Sequence, residues 1–186
     1  MIEYVIHALQ PQVSTLLINA NRNLKKYQAL GKLPIVPDHF GGYAGPLAGM
    51  ASAMQAAQTK YILTAPCDAP FVTPRLGVLL YQALIQQQSR LSVATDGSRM
   101  QPVFALLPCN LLPDLMAFLR RGERKASLWF DQQDPALADL STAPDTFLNI
   151  NFKKDVDLIE RRLLLRSERK SSQAHKSPYG RTRQGV

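Results

Sequence analysis

Tyr61-Ile62-Leu63-Thr64-Ala65-Pro66-Cys67-Asp68-Ala69-Pro70 sets a short apolar run against a carboxylate held between two prolines. The run is strand-sized, partly aromatic and β-branched, and stopped by Pro66, as a buried strand would be. Before it, Leu47 to Ala57 is an Ala- and Met-rich stretch that reads as a helix. After it, Pro74 suits the first turn of a helix running to about Gln88. Helix, strand and helix in this order make the repeating unit of a sheet covered on both faces.

The same alternation continues in both directions. Ile2, Val5, Ile6 and Leu9 recur at helical spacing until Pro11. Val13 to Ile18 is a strand-like run that stops at the polar Asn19-Ala20-Asn21. Arg22 to Leu30 reads as a helix leaving through Gly31, and Pro34-Ile35-Val36 as a strand closed by Pro37-Asp38. Downstream, Leu91 to Thr95 and Val103 to Leu107 are strands, with a turn at Asp96-Gly97 between them. Helices are expected from Asn110 to Arg121 and around Ala126 to Phe130. Phe147 to Asn151 reads as the last strand, and Lys153 to about Leu165 as the last helix. The expected architecture is α/β, a Rossmann-like three-layer α/β/α domain with a mostly parallel sheet over residues 1–165.

Composition narrows the class of protein. With 186 residues and 46% apolar types, the chain can bury one core and is too short for two of ordinary size. Two cysteines cannot build a disulfide framework, and no basic leader or long apolar stretch is present, so a cytoplasmic location is expected. Of the net charge of +8, residues 161–186 carry +7, leaving the body almost neutral. A basic tail over 166–186, rich in Ser, Gln and Arg, has the composition of a disordered segment with weak, salt-sensitive attraction to RNA or an acidic partner.

Ligands of open α/β sheets bind beyond the carboxyl ends of the strands. Three polar residues stand there, Asn19, Asp38 and Asp68, although Asn and Asp also favour strand exits for purely local reasons. Asp68 suits a single-carboxylate Mg²⁺ site, since Mg²⁺ keeps several waters and binds through one or two carboxylates plus phosphates. Gly41-Gly42-Tyr43-Ala44-Gly45-Pro46-Leu47-Ala48-Gly49 delivers backbone amides to a helix N-terminus, where an anion or a carbonyl-rich base can be held. No Gly-Lys-Ser/Thr follows it, so it is not a Walker loop. Asn149 and Asn151 alternate with apolar residues and would share one strand face, there to bind a polar heterocycle or to cap the next helix.

Taken together and in order, these segments resemble the molybdenum cofactor guanylyltransferases. The resemblance rests on Leu17-Ile18-Asn19-Ala20-Asn21-Arg22, Val36-Pro37-Asp38, Gly45-Pro46-Leu47-Ala48-Gly49-Met50, Pro66-Cys67-Asp68-Ala69-Pro70 and Asn149-Ile150-Asn151. It implies a nucleotidyltransferase of the nucleotide-diphospho-sugar transferase fold that joins GMP from GTP to the phosphate of molybdopterin, with Mg²⁺, and releases pyrophosphate. It also implies that Asn19 and Asp38 contact the guanine nucleotide and that Asp68, the catalytic carboxylate, binds nucleotide and Mg²⁺. Gly45, Pro46, Leu47 and Gly49 would lie beside the base, and Asn149 and Asn151 on the pterin side. Molybdoenzymes or cofactor-insertion proteins would be the protein partners. A CTP-dependent cofactor transferase, a sugar-1-phosphate nucleotidyltransferase and a non-catalytic binding module are the alternative readings.

One part of the pattern is not in this sequence. Such proteins open with a strand running into a Leu-Ala-Gly-Gly loop, an Arg-Met-Gly segment and a lysine around the triphosphate, whereas Met1 matches the interior of the helix that follows. The absent strand would lie centrally, between those ending at Asn19 and Asp68. Five or six residues, each burying roughly 1.5–3 kcal/mol of side chain, amount to about 10 kcal/mol. That rivals the ~5–15 kcal/mol that holds an ordinary domain together. The expectation is a chain that, as it stands, is marginally folded and inactive.

Overall fold

The computed structural model describes residues 1–39 and 45–149. Helix α1, Ile2–Leu9, buries Val5 and Leu9. Pro11 does not end it at once, because Gln10–Gln12 tightens into a 3₁₀ turn that accepts a proline early. The predicted strand over Val13 to Ile18 shrinks to β1, Ile18–Asn19. Helix α2, Leu24–Gln28, leads to β2, Ile35–Val36, which pairs with β1 in parallel. Helix α3, Pro46–Ala56, and strand β3, Tyr61–Thr64, stand where the sequence puts them. So does α4, Leu76–Gln86, except that Pro74 lies in the preceding turn.

The second half departs from a mostly parallel sheet. Strands β4, Ser92–Thr95, and β5, Met100–Pro108, form a hairpin, and β5 also pairs antiparallel with β3. A four-residue connection leaves no room for the crossover that a parallel pair needs, so the turn chemistry dictates the direction. Gly97 takes φ +92° there, and the Asp96 carboxylate accepts from Ser98 N, Ser98 Oγ, Arg99 N and Gln101 Nε2. Those donors hold its carboxyl far below the usual range, the side-chain bond from Ser98 contributing most. Asp96 is thereby a turn residue, its acceptor capacity used locally.

A 3₁₀ turn at Cys109–Leu111 leads into α5, Leu112–Arg120, followed by α6, Ala126–Gln132. Trp129 is fully buried between them and donates its indole N–H to Asp114 Oδ1 at 2.9 Å. Strand β6, Ala136–Asp139, has no counterpart in the sequence reading: it pairs with β4 in parallel, burying Ala136 and Ala138 and exposing Leu137. The last strand expected, Phe147 to Asn151, is corrected where it can be seen. Pro144–Phe147 is a 3₁₀ turn, and Phe147 packs edge-on against Phe104 at 5.2 Å. Residues 150–186 lie outside the described residues, and with them Asn151, the last helix and the basic tail.

Two sheets result, β1-β2 and β3-β5-β4-β6, with no ladder between β1 and β3 among the described residues. Both pack on α3, whose residues Leu47 through Met54 are all buried. The larger core joins α3, α5 and α6 to one face of the four-stranded sheet, around Leu107, Phe118, Trp129 and Phe130. A second core joins α1 and α4 to the opposite face around Leu76, Leu80 and Phe104. Amide exchange will separate the two sheets. Ile18 and Ala20, which donate across the two-stranded ladder, should exchange on the order of a hundredfold faster than Ala105 and Leu107. Equal protection would show that the sheets open as one unit.

Candidate functional site

Strand β1 is brief because Asn19, at its exposed end, turns its side chain to the neighbouring strand rather than continuing the apolar run. Asn19 Nδ2 donates to Val36 O at 3.0 Å and to Asp38 Oδ1 at 2.8 Å. Asn21 grips the same residue twice: its Nδ2 donates to Asp38 Oδ2 at 2.7 Å, and its Oδ1 accepts from Asp38 N at 2.8 Å. The next residue is tied as well, His39 N donating to the buried Ser52 hydroxyl of α3 at 3.1 Å. Asn19 and Asp38 are thus brought together, with Asn21 as a third member absent from the sequence-derived site.

Helix α3 meets this cluster at Gly49. A Cβ built there would overlap the Asn19 side-chain oxygen, so the glycine is required by close approach and not by backbone conformation. Gly45 is different: its φ of +68° suits glycine, and it caps a helix that begins with Pro46. Gly45 and Pro46 are exposed and able to face a ligand. Leu47 is fully buried in the core, main chain included, so it is structural and does not face a ligand. Residues 40–44, the remainder of the glycine-rich loop, lie outside the described residues.

Asp68 sits in the turn after β3, half-buried, and makes no hydrogen bond or ion pair among the described residues. Beside it, burial first and the Asp68 charge second push the Cys67 thiol up. Tyr27 lies close enough that Cys67 adds to the rise of its phenol, which is caused chiefly by burial. Tyr27 also lines a cavity of about 280 Å³ with Asn19, Ala20, Asn21, Arg22 and Asn23. The cavity borders the Asn19–Asp38–Asn21 cluster on one side, and Tyr27 links it to the turn that carries Asp68. Sequence reading missed Asn21, Arg22, Asn23 and Tyr27; the polar run Asn19-Ala20-Asn21-Arg22-Asn23 was the available signal.

Asn149 is exposed and bonds to none of these residues. No strand carries it, so alternation along a strand does not bring it to a common face with its neighbours. Among the described residues no group of three or more His, Cys, Asp or Glu side chains is arranged to hold a metal. No described helix is long and apolar enough to cross a membrane.

Polar side chains at the ends of β1, β2 and β3, arranged about one buried helix, are what the comparisons with known proteins bear on. A family model described as MobA-like NTP transferase domain matches residues 1–136. The chain belongs to that nucleotidyltransferase family. Its relatives include the molybdenum cofactor guanylyltransferase of Shewanella sediminis (strain HAW-EB3), 42% identical over 151 residues, covering 81% of this chain and 76% of that one. The protein of the same name from Pasteurella multocida (strain Pm70) is 40% identical over 151 residues, 81% and 79% of the two chains. Among solved structures, molybdopterin-guanine dinucleotide biosynthesis protein A of Archaeoglobus fulgidus superposes with a TM-score of 0.69 at 18% identity, covering 87% of this chain and 84% of that one. The 2-C-methyl-D-erythritol 4-phosphate cytidylyltransferase of Thermus thermophilus gives 0.63 at 18% identity, covering 87% of each. At such identities these two establish the fold, a nucleotidyltransferase α/β fold with a mixed sheet.

Two outcomes test this geometry. Gly49→Ala gains helix propensity but displaces Asn19 and its two hydrogen bonds, for a net loss of about 1–2 kcal/mol. Urea unfolding should read that loss, and an unchanged or higher midpoint would mean that Asn19 does not need the glycine. Cys67 reports on Asp68: Asp68→Asn removes a charge that disfavours the thiolate, lowers the thiol pKa and raises the thiolate fraction near neutral pH. Alkylation of Cys67, followed by peptide mass mapping, should therefore be faster in Asp68→Asn than in the unchanged chain.

Proposed function

We propose that the function to which this site belongs is the transfer of GMP from GTP to the phosphate of molybdopterin, with Asn19 and Asp38 holding the nucleotide and Asp68 holding Mg²⁺. The Asp38 carboxylate carries this reading. Each of its oxygens accepts one asparagine amide, leaving further acceptor capacity on both for a planar edge with two adjacent donors. Guanine presents such an edge, N1–H beside N2–H₂. Adenine and cytosine pair an amino donor with a ring acceptor, and uracil has one N–H between carbonyls. The cavity beside Asn21 is near the lower end of ligand clefts, about 300–1,000 Å³. That suits a base and its sugar better than a whole dinucleotide.

Asp68 fits a Mg²⁺ ion of the single-carboxylate kind, because no protein donor among the described residues claims its oxygens and no second carboxylate is needed when phosphates complete the shell. When bound, the ion would cancel charge on the phosphates and on the leaving pyrophosphate. The attacking phosphate is already ionised near neutral pH, so the protein's task is to orient it in line with the α-phosphorus. No side-chain base is required for that. The exposed Gly45 and Pro46 would lie along the nucleotide. Asn149 and Asn151 would serve the pterin side, and molybdoenzymes or cofactor-insertion proteins would receive the product.

Binding is the direct readout, because the base and metal contacts proposed lie among residues 19 to 68. Calorimetric titration should give saturable, Mg²⁺-dependent binding of GTP and weaker binding of CTP. Asp38→Ala should weaken GTP by about tenfold or more, the value of a hydrogen bond to a charged group, and bring GTP and CTP together. Asp68→Asn should reduce the Mg²⁺ dependence and leave base preference intact. Equal affinity for GTP and CTP in the unchanged chain would favour a CTP-dependent relative and sink the guanine reading.

A further inference from the structure

We propose that Asn21 is a positioning residue for nucleotide recognition, acting through Asp38; the inference rests on the proposed role of Asp38 at the base. A carboxylate on a short strand exit rotates about χ1 and χ2, and only one setting presents both oxygens in the plane of an incoming base edge. Asn21 determines that setting from two sides. Its amide N–H holds Oδ2 at 2.7 Å, while its carbonyl oxygen holds the backbone N–H of Asp38 at 2.8 Å. The ring so closed joins side chain and main chain of Asp38 to one amide, so neither the peptide plane nor the carboxylate turns without breaking a bond.

Asn19 cannot replace it. Its amide nitrogen is divided between Val36 O and Asp38 Oδ1, and its oxygen lies against the backbone of α3 at Gly49. Asn19 therefore settles where Oδ1 lies, and Asn21 settles the tilt of the carboxylate about it. Asn21 is exposed and belongs to neither apolar core, which separates this role from a contribution to the core. It also lines the cavity together with Asn19, so the two residues that hold Asp38 face the space open to a ligand.

A base that lacks one of the two donors separates positioning from stability. Inosine triphosphate has N1–H and no 2-amino group, so a carboxylate held in plane prefers GTP over ITP, and a swinging one does not. Calorimetric affinities for GTP and ITP should be compared in the unchanged chain, Asn21→Ala, Asn21→Asp, Asp38→Ala and the double variant Asn21→Ala with Asp38→Ala. Asn21→Asp keeps the acceptor for Asp38 N–H but sets a second carboxylate against Asp38 Oδ2, so it turns the grip on the carboxylate into repulsion.

The expected result is a GTP preference over ITP of about tenfold that falls to about twofold in both Asn21 variants, through loss of the GTP affinity. Asn21→Ala should lower the thermal midpoint only modestly, as loss of exposed hydrogen bonds does, and its effect on the GTP preference should vanish when Asp38 is already alanine. Equal weakening of GTP and ITP, or an Asn21→Ala effect that persists without Asp38, overturns the inference. So does GTP binding that responds to Asp38→Ala and not to Asn21→Ala. GTP binding that is absent, or indifferent to Asp38→Ala, overturns the proposed function itself, and this inference falls with it.

Discussion

Helix α3 has to be thin. The two-stranded sheet and the four-stranded sheet share no ladder among the described residues, and both pack against this helix. Each face it offers must admit a neighbour closely, which is why Leu47 and Met50 alternate with Ala48, Gly49, Ala51, Ser52 and Ala53, all buried. At Gly49 the requirement is absolute in the sense that any side chain would occupy the space of the Asn19 oxygen. At Ser52 it is chemical: the buried hydroxyl accepts the His39 amide, which would otherwise lose a partner at the end of β2. One helix thus supplies apolar burial to the core and polar anchorage to two strand exits.

The candidate site inherits its order from that arrangement. Exposed amides and carboxylates on loops ordinarily lose little by swinging into water, and isolated surface bonds contribute correspondingly little. Here the loop after β1 and the loop after β2 are tied to each other through Asn19, Asn21 and Asp38, and to α3 through Ser52 and Gly49. The preorganisation belongs to the network and to the helix behind it. Asp68 contrasts with Asp38: it has no donor partners among the described residues, which suits a metal ligand, whereas the amides around Asp38 suit a group that must face one way. Two aspartates at successive strand ends thereby stand in different surroundings, one held by asparagine amides and one without donors among the described residues.

How much of this was open to sequence reading can be judged residue by residue. The strand at Tyr61–Thr64 and the helix beginning at Pro46 were plain, because apolar period, proline and glycine all agree there. Asn19, Asp38 and Asp68 could be picked out as strand exits, though only singly. The polar run marked Asn21 as a candidate, but nothing in Asn19-Ala20-Asn21 says that both amides converge on one carboxylate 19 and 17 residues further on. Strand β6 was missed because Ala136-Leu137-Ala138-Asp139 has little β propensity of its own; a parallel partner in β4 makes it a strand. The strand expected at Phe147 failed for the converse reason, as Phe147 finds its burial against Phe104 and the chain turns there instead.

By itself the sequence determined the local events: where helices begin, where apolar runs stop, and where Asp96-Gly97 must reverse the chain. It also carried, in a set of short motifs taken in order, the family to which the chain belongs. Only the tertiary structure decided how the strands pair and which polar groups are already satisfied. Those outcomes depend on contacts between segments far apart in the chain: β5 lying between β3 and β4, Asn19 against Gly49, Asn21 around Asp38. A propensity is a property of neighbours in sequence. A rotamer held by two hydrogen bonds is a property of neighbours in space.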